Sequence, residues 1–167
     1  MAALTWLERY SGQSTDELIS LEPICRLESI ILAFEEALDQ KAFRDGEGAL
    51  SYEERVIVAI EALEREVNNG GYRQFFINSS AEYLPIVIDA LLRIQCPATA
   101  ALTRRAVETL GLTELGREAV QNRIQVQDAK RDSALNEIDS LYYKSSEHIA
   151  ARLFAFIKDN RSKITLP

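Results

Sequence analysis

Apolar residues recur at three- and four-residue spacing along most of the chain, which is the period of an amphipathic helix. One stripe runs from Leu27 to Leu38, a second from Val56 to Val67, and later segments repeat the pattern as far as Ile157. No segment alternates apolar and polar residues between hairpin turns, so no strand is predicted. The pattern predicts an all-α fold, a single-domain irregular bundle of about six to eight helices.

Local sequence signals predict where several helices begin and end. Three Ser-x-x-Glu sequences match the capping box: Ser14 with Glu17, Ser51 with Glu54, and Ser79 with Glu82. The helix that Ser51 opens is expected to end at Gly70 or Gly71, because glycine adopts a left-handed conformation most cheaply. A long polar helix is expected from Thr113, and Ser145 or Ser146 is expected to cap the last helix.

The 167 residues predict one domain over 1–167, with acidic N-terminal helices in 1–50. The N-terminal sequence lacks a basic region followed by a long apolar core, and no apolar stretch approaches the roughly 18 residues of a membrane span. Two isolated cysteines, Cys25 and Cys96, have no metal-ligand spacing and suggest buried thiols in a reducing compartment. These features predict a cytoplasmic protein without a membrane partner.

The net charge of −7 is concentrated in the first part of the chain. Residues 1–66 carry 15 acids and 6 bases, whereas residues 67–167 carry 11 acids and 13 bases. Such a surface repels nucleic acid and anionic lipid and attracts basic partners. Direct nucleic-acid binding is therefore not expected, and a basic protein partner is.

Acidic side chains are predicted to form two rows on neighbouring helices, since residues four apart rise about 6 Å, a spacing similar to that of phosphates. The candidates for this acidic face are Glu28, Glu35, Glu36, Asp39, Glu53, Glu54, Glu61 and Glu64. Basic residues such as Arg26, Lys41 and Arg65 interrupt the rows. The alternative interpretation is therefore a solvated face with ordinary helix salt bridges.

Catalytic motifs are missing from the sequence. It has one histidine, His148, and no nucleophile elbow, phosphate-binding loop or dinucleotide fingerprint. No catalytic residue, metal ligand or cofactor is assigned, and enzymatic activity is not expected.

The run from Asn68 to Ser80 combines paired amides, paired glycines and three aromatic residues. Its defining residues are Asn69, Gly70, Gly71, Tyr72, Gln74, Phe75, Phe76 and Asn78. In the structural interpretation the glycines turn the chain, the aromatic residues enter the core, and Gln74 and Asn78 satisfy backbone groups exposed by the break. In the functional interpretation the same kink presents side chains to a partner.

The sequence Asn-Gly-Gly-Tyr-x-Gln-Phe-Phe-x-Asn at 69–78 resembles the signature of a bacterial family of small helical proteins, mostly domains of unknown function. Residues 135–143, Leu-x-x-Ile-Asp-x-x-Tyr-Tyr, are similar to an element near that family's C-terminus, so the family-like core would span 51–157. The resemblance implies an all-α fold without known enzymatic activity, and the family includes a DNA mimic. Mimicry depends on surface carboxylates and not on this signature, so it has to be tested on the acids of this chain.

Two hypotheses for the function follow. The first is a non-enzymatic regulatory module that presents the acidic face to a basic protein, in the narrower form as a DNA mimic that blocks a DNA-binding protein. The alternative is a ligand-binding or hydrolytic pocket at the kink, lined by Tyr72, Gln74, Asn78 and Asp89. A homodimer through Phe154 or Phe156 of the last helix is a further expectation, because these two residues point to different faces.

Overall fold

The apolar stripes of the sequence form helices throughout the computed structural model, which describes residues 3–167. Within that range the α-helices are α1 (Thr15–Ser20), α2 (Leu27–Asp45), α3 (Tyr52–Ile77), α4 (Leu84–Arg93), α5 (Pro97–Glu108), α6 (Arg117–Gln125), α7 (Ala129–Tyr143) and α8 (Ile149–Asp159). Short 3₁₀ turns occupy Glu47–Ala49, Ser79–Tyr83 and Arg161–Lys163. The all-α prediction is confirmed, since this part of the chain contains one isolated bridge, Thr5 with Cys25, and no strand.

The chain divides into two compact units, and their boundary falls within α3, after Glu61. The first unit consists of residues up to 61 together with 148–167, and the second of residues 62–147. The expected single domain, with parts 1–50 and 51–157, remains a prediction from the sequence.

In the first unit, α2 packs against α1 and α8. The stripe read from the sequence forms its core, where Ile30, Phe34 and Leu38 are completely buried. Leu153 and Ile157 of α8 are also completely buried. The apolar face of α2 is thus used for folding, and its opposite face is left to solvent.

The C-terminal residues of the first unit are fixed by polar contacts. Glu54, only 1% exposed, forms an ion pair with Lys41 at 2.8 Å and accepts a hydrogen bond from the backbone N–H of Thr165 at 2.7 Å. The Thr15 hydroxyl donates to the carbonyl of Ile164 at 2.8 Å, and the Tyr10 hydroxyl donates to the carbonyl of Pro167, also at 2.8 Å. Residues 164–167 therefore contact both the segment before α2 and the start of α3.

In the second unit, α5 packs against α4 and α7, and the 3₁₀ turn at Ser79–Tyr83 packs against α4 and α6. Completely buried apolar side chains come from the end of α3 and from α4, α5 and α6: Leu63, Val67, Phe75, Phe76, Val87, Leu91, Ala106, Val120 and Ile124. These helices position the residues of the Asn-Gly-Gly signature.

Two of the three predicted capping boxes are confirmed. The side chain of Ser14 accepts from the N–H of Glu17, and that of Ser51 accepts from the N–H of Glu54, with the reciprocal bond present in both cases. The prediction for Ser79 was wrong, because Ser79 is the first residue of a 3₁₀ turn without a side-chain cap, and α4 begins later, at Leu84.

Two helix starts were also misplaced. The helix expected from Thr113 begins at Arg117, after an irregular segment. The last helix is preceded by His148, which makes no side-chain cap, so neither Ser145 nor Ser146 caps it.

Candidate functional site

The kink in α3 lies at Gly70 and Gly71, and the prediction that a glycine interrupts the helix here is confirmed. The backbone of Gly70, with φ of −161°, is extended, whereas Gly71 has a positive φ of 73° that favours glycine. A Cβ on Gly71 would collide with the carboxylate of Asp139. Position 71 therefore requires glycine for two reasons, its left-handed backbone and its close neighbour.

Asp139 of α7 supports the helix that restarts after the kink. Its Oδ1 accepts a hydrogen bond from the backbone N–H of Tyr72 at 2.9 Å. This N–H belongs to the first turn after the break, where no helical carbonyl is available. Burial raises the pKa of Asp139 above its ordinary value, and the bond from Tyr72 opposes that shift.

The aromatic residues of the signature enter the core of the second unit, as the structural interpretation predicts. Tyr72, Phe75 and Phe76 are all completely buried. The hydroxyls of Tyr72 and Thr103 lie 2.8 Å apart, and Thr103 donates to the carbonyl of Thr99, so the Tyr72 hydroxyl is the donor of this pair. Burial raises the pKa of Tyr72.

Glu66 is the residue at this site that sequence reasoning missed. Its carboxylate accepts hydrogen bonds from Gln74 Nε2 at 3.0 Å, Asn78 Nδ2 at 2.7 Å and the Ser80 hydroxyl at 3.2 Å. Burial raises the pKa of Glu66, but these three hydrogen bonds more than offset that effect and lower it overall. The amides of the signature thus bind this carboxylate, and not the backbone groups to which they had been assigned.

A shallow depression of about 380 Å³ remains on the surface beside the kink. It is lined by Gly70, Arg73, Gln74, Ile77 and Asn78. Neither Tyr72 nor Asp89 lines it: the first is completely buried, and the second is exposed in an ion pair with Arg93 at 2.8 Å. The structure does not bring together the four residues of the hypothetical pocket.

The outer face of α2 carries a larger depression, of about 610 Å³. It is lined by Leu32, Glu35, Glu36, Asp39, Gln40 and Phe43, none of which is basic. Phe43 is 95% exposed and Leu32 is 43% exposed. We call this depression the α2 groove, and it contains three of the predicted acidic-face residues. Asp39 is exposed, Glu36 is partly exposed and accepts a hydrogen bond from the backbone N–H of Tyr10 at 2.9 Å, and Glu35 is only 8% exposed.

The other candidates for the acidic face have different surroundings. Glu28 is exposed on α2, and Glu61 is partly exposed. Glu53 accepts a hydrogen bond from Lys163 at 2.9 Å. Glu54 is buried in its ion pair with Lys41, so a charge reversal there would disrupt folding and could not probe a surface.

Glu64 belongs to the second unit and is only partly exposed. Its Oε1 is buried and has no hydrogen-bond partner. Burial raises the pKa of Glu64 from 4.5 to about 7. The second predicted row of carboxylates, on α3, therefore consists mostly of side chains with structural surroundings.

Residues 3–167 contain no group of three or more His, Cys, Asp or Glu side chains arranged to hold a metal ion. Over the same range no single helix is long and apolar enough to cross a membrane; the bent pair Tyr52–Ile77 and Ser79–Arg93 meets that criterion only jointly, by length and composition.

Residues 48–160 match the family model described as DMP19-like protein. No curated protein and no solved structure matches the chain. The matched region includes the kink, Glu66 and Asp139, together with the whole of the second unit. Because the match covers more than half of the sequence, the chain belongs to the DMP19-like protein family.

Proposed function

We propose that this protein acts by binding another protein, and that the α2 groove is the surface that receives a basic partner. The observation that carries the proposal is the lining of the groove, which contains the exposed Asp39, the partly exposed Glu36 and the mostly buried Glu35, and which has no basic residue. Glu28 extends the same acidic surface toward the start of α2. A surface of one sign attracts the opposite charge and accelerates association.

The basic side chains of α2 are directed to other contacts. Lys41 donates to both carboxylate oxygens of Glu54 and to the carbonyl of Thr165. Arg44 forms a bidentate pair with its neighbour Asp45. The cations nearest in sequence are thus occupied outside the groove.

The signature around Gly71 has a different role in this proposal. Its amides bind Glu66, its aromatic residues fill the core, and Asp139 holds the backbone after the kink. These contacts support a structural role, in which the signature sets the course of α3.

The test is the capture of a partner from a lysate of the native cell on the immobilised protein. The double variant Glu28→Gln, Asp39→Asn removes two charges from the exposed surface of α2. The matched control, Glu114→Gln, Glu118→Gln, removes two exposed charges from the second unit. We expect the partner to be lost from the α2 variant, kept by the control, and released as salt rises. Equal capture by both variants would contradict the proposal.

DNA mimicry is the narrower form of the same function. It requires that the captured partner bind DNA and that duplex DNA displace it from the protein in a salt-dependent way. A captured partner that duplex DNA does not displace would leave the broader proposal in place and exclude the narrower one.

A further inference from the structure

The α2 groove combines acidic side chains with two exposed apolar side chains. Phe43 exposes 95% of its surface and Leu32 exposes 43%. A completely charged surface would suffice to attract a cationic polymer. The exposed apolar residues therefore indicate that the partner has apolar side chains in addition to positive charge.

The apolar and acidic residues follow one another along one side of α2. Leu32, Glu36, Asp39 and Phe43 lie at positions i, i+4, i+7 and i+11, which share one face of a helix. With a rise of 1.5 Å per residue, the two apolar residues are about 16 Å apart along the helix axis. The groove thus has an apolar residue at each end and carboxylates between them.

A helix of a partner protein provides the complementary arrangement. Apolar residues at i and i+11 have the same separation, and Lys or Arg at i+4 and i+7 would lie opposite the carboxylates. Nucleic acid is negatively charged, so the carboxylates of the groove would repel it. An extended cationic chain without apolar side chains would leave Phe43 exposed to water. The combination of charge and apolar spacing favours an amphipathic helix.

We propose that the α2 groove binds a basic amphipathic helix of the partner, with its two apolar residues packed on Leu32 and Phe43. This inference rests on the proposed function, for which it specifies the chemistry of the partner. The acidic residues attract and orient the helix, while burial of Phe43 and Leu32 slows its dissociation.

The test uses a synthetic helical peptide of about 18 residues, with Leu at i and i+11 and Lys at i+4 and i+7. An isomeric peptide places the same Lys residues on the opposite face, and polylysine of equal length provides charge alone. We expect Phe43→Ala and Leu32→Ala each to weaken binding of the amphipathic peptide about tenfold. The same substitutions should weaken binding of polylysine less than about twofold. Trp6→Ala removes another exposed aromatic side chain, 52% exposed, from the same unit and should leave peptide binding unchanged.

Two results would overturn the inference and are distinguishable from a failure of the proposed function. If the amphipathic peptide binds no better than its isomer, or if Phe43→Ala has no effect on it, the helix inference is wrong. The proposed function survives that result if Glu28→Gln, Asp39→Asn still abolishes capture of the cellular partner. If those charge changes also leave capture intact, both proposals fail. Unchanged melting temperatures of the variants verify that each measurement concerns binding and not folding.

Discussion

At the scale of single residues, two glutamates two positions apart on α3 have opposite electrostatic surroundings. Glu64 has a buried oxygen without a hydrogen-bond partner, and its pKa rises to about 7. Glu66 is surrounded by three donors, and its pKa falls. The sequence alone does not distinguish these two helical glutamates, because their environments are created by residues elsewhere in the chain and by the packing of the core.

Glu64→Gln is expected to stabilise the protein above pH 7. In the unfolded chain Glu64 loses its proton near pH 4.5, whereas in the folded protein it does so near pH 7. Between these values the folded state binds more protons, so rising pH lowers the free energy of unfolding, by at most about 3 kcal/mol. Urea unfolding at pH 5 and pH 8 measures the effect, and the gain from Glu64→Gln should be present only at the higher pH.

Glu66→Gln is the matched control and should have the opposite sign. Its lowered pKa stabilises the folded state above the ordinary pKa of a glutamate, and that stabilisation is lost as pH falls. We expect Glu66→Gln to destabilise at pH 8 and to have a smaller effect in acid. If both variants changed stability in the same direction at pH 8, the contrast between the two sites would be wrong.

At the scale of the element, the kink of α3 shows how far the sequence can be read. Paired glycines predict the interruption, and the spacing of Tyr72, Phe75 and Phe76 predicts a buried face. The partners of the kink could not be predicted, because Asp139 lies 67 residues from the Tyr72 N–H that it binds. The burial of Glu54 could not be inferred from its capping box with Ser51, because Glu17 has the same place in the capping box of Ser14 and is exposed.

Gly71→Ala is expected to destabilise the protein more than Gly111→Ala. Both glycines have positive φ, 73° and 62°, so alanine introduces backbone strain of about 1 kcal/mol at either position. At Gly111 a Cβ meets no atom within 4 Å, whereas at Gly71 it must displace Asp139. We expect a total loss of about 2–4 kcal/mol at Gly71, measured by thermal or urea unfolding. Equal losses at the two glycines would contradict a role for Asp139.

At the scale of the whole molecule, the first unit is closed by polar contacts between residues far apart in sequence. Glu54 forms an ion pair with Lys41 and accepts a hydrogen bond from the Thr165 N–H, and the Thr15 hydroxyl donates a hydrogen bond to the carbonyl of Ile164. The apolar pattern predicts the helices of this unit, but these contacts depend on side chains whose positions only the folded chain defines.

Glu54→Gln should therefore destabilise the protein by about 2–3 kcal/mol, since it leaves Lys41 without its partner in a poorly solvated site. Its neighbour provides the control. Glu53 pairs with Lys163, which is 59% exposed, so Glu53→Gln should cost less than about 1 kcal/mol. Both losses are measured by urea unfolding. Similar losses for the two variants would mean that the buried ion pair of Glu54 contributes no more to stability than the exposed pair of Glu53.

The division of the chain has a consequence for its synthesis on the ribosome. The second unit is one continuous stretch, 62–147, whereas the first needs residues from both sides of it. Translation delivers the whole of the second unit before Leu153 and Ile157 exist, although both belong to the buried core of the first. The core of the first unit therefore cannot be completed until α8 has been synthesised, and part of its apolar surface stays exposed until then. The second unit already has all of its residues at that stage.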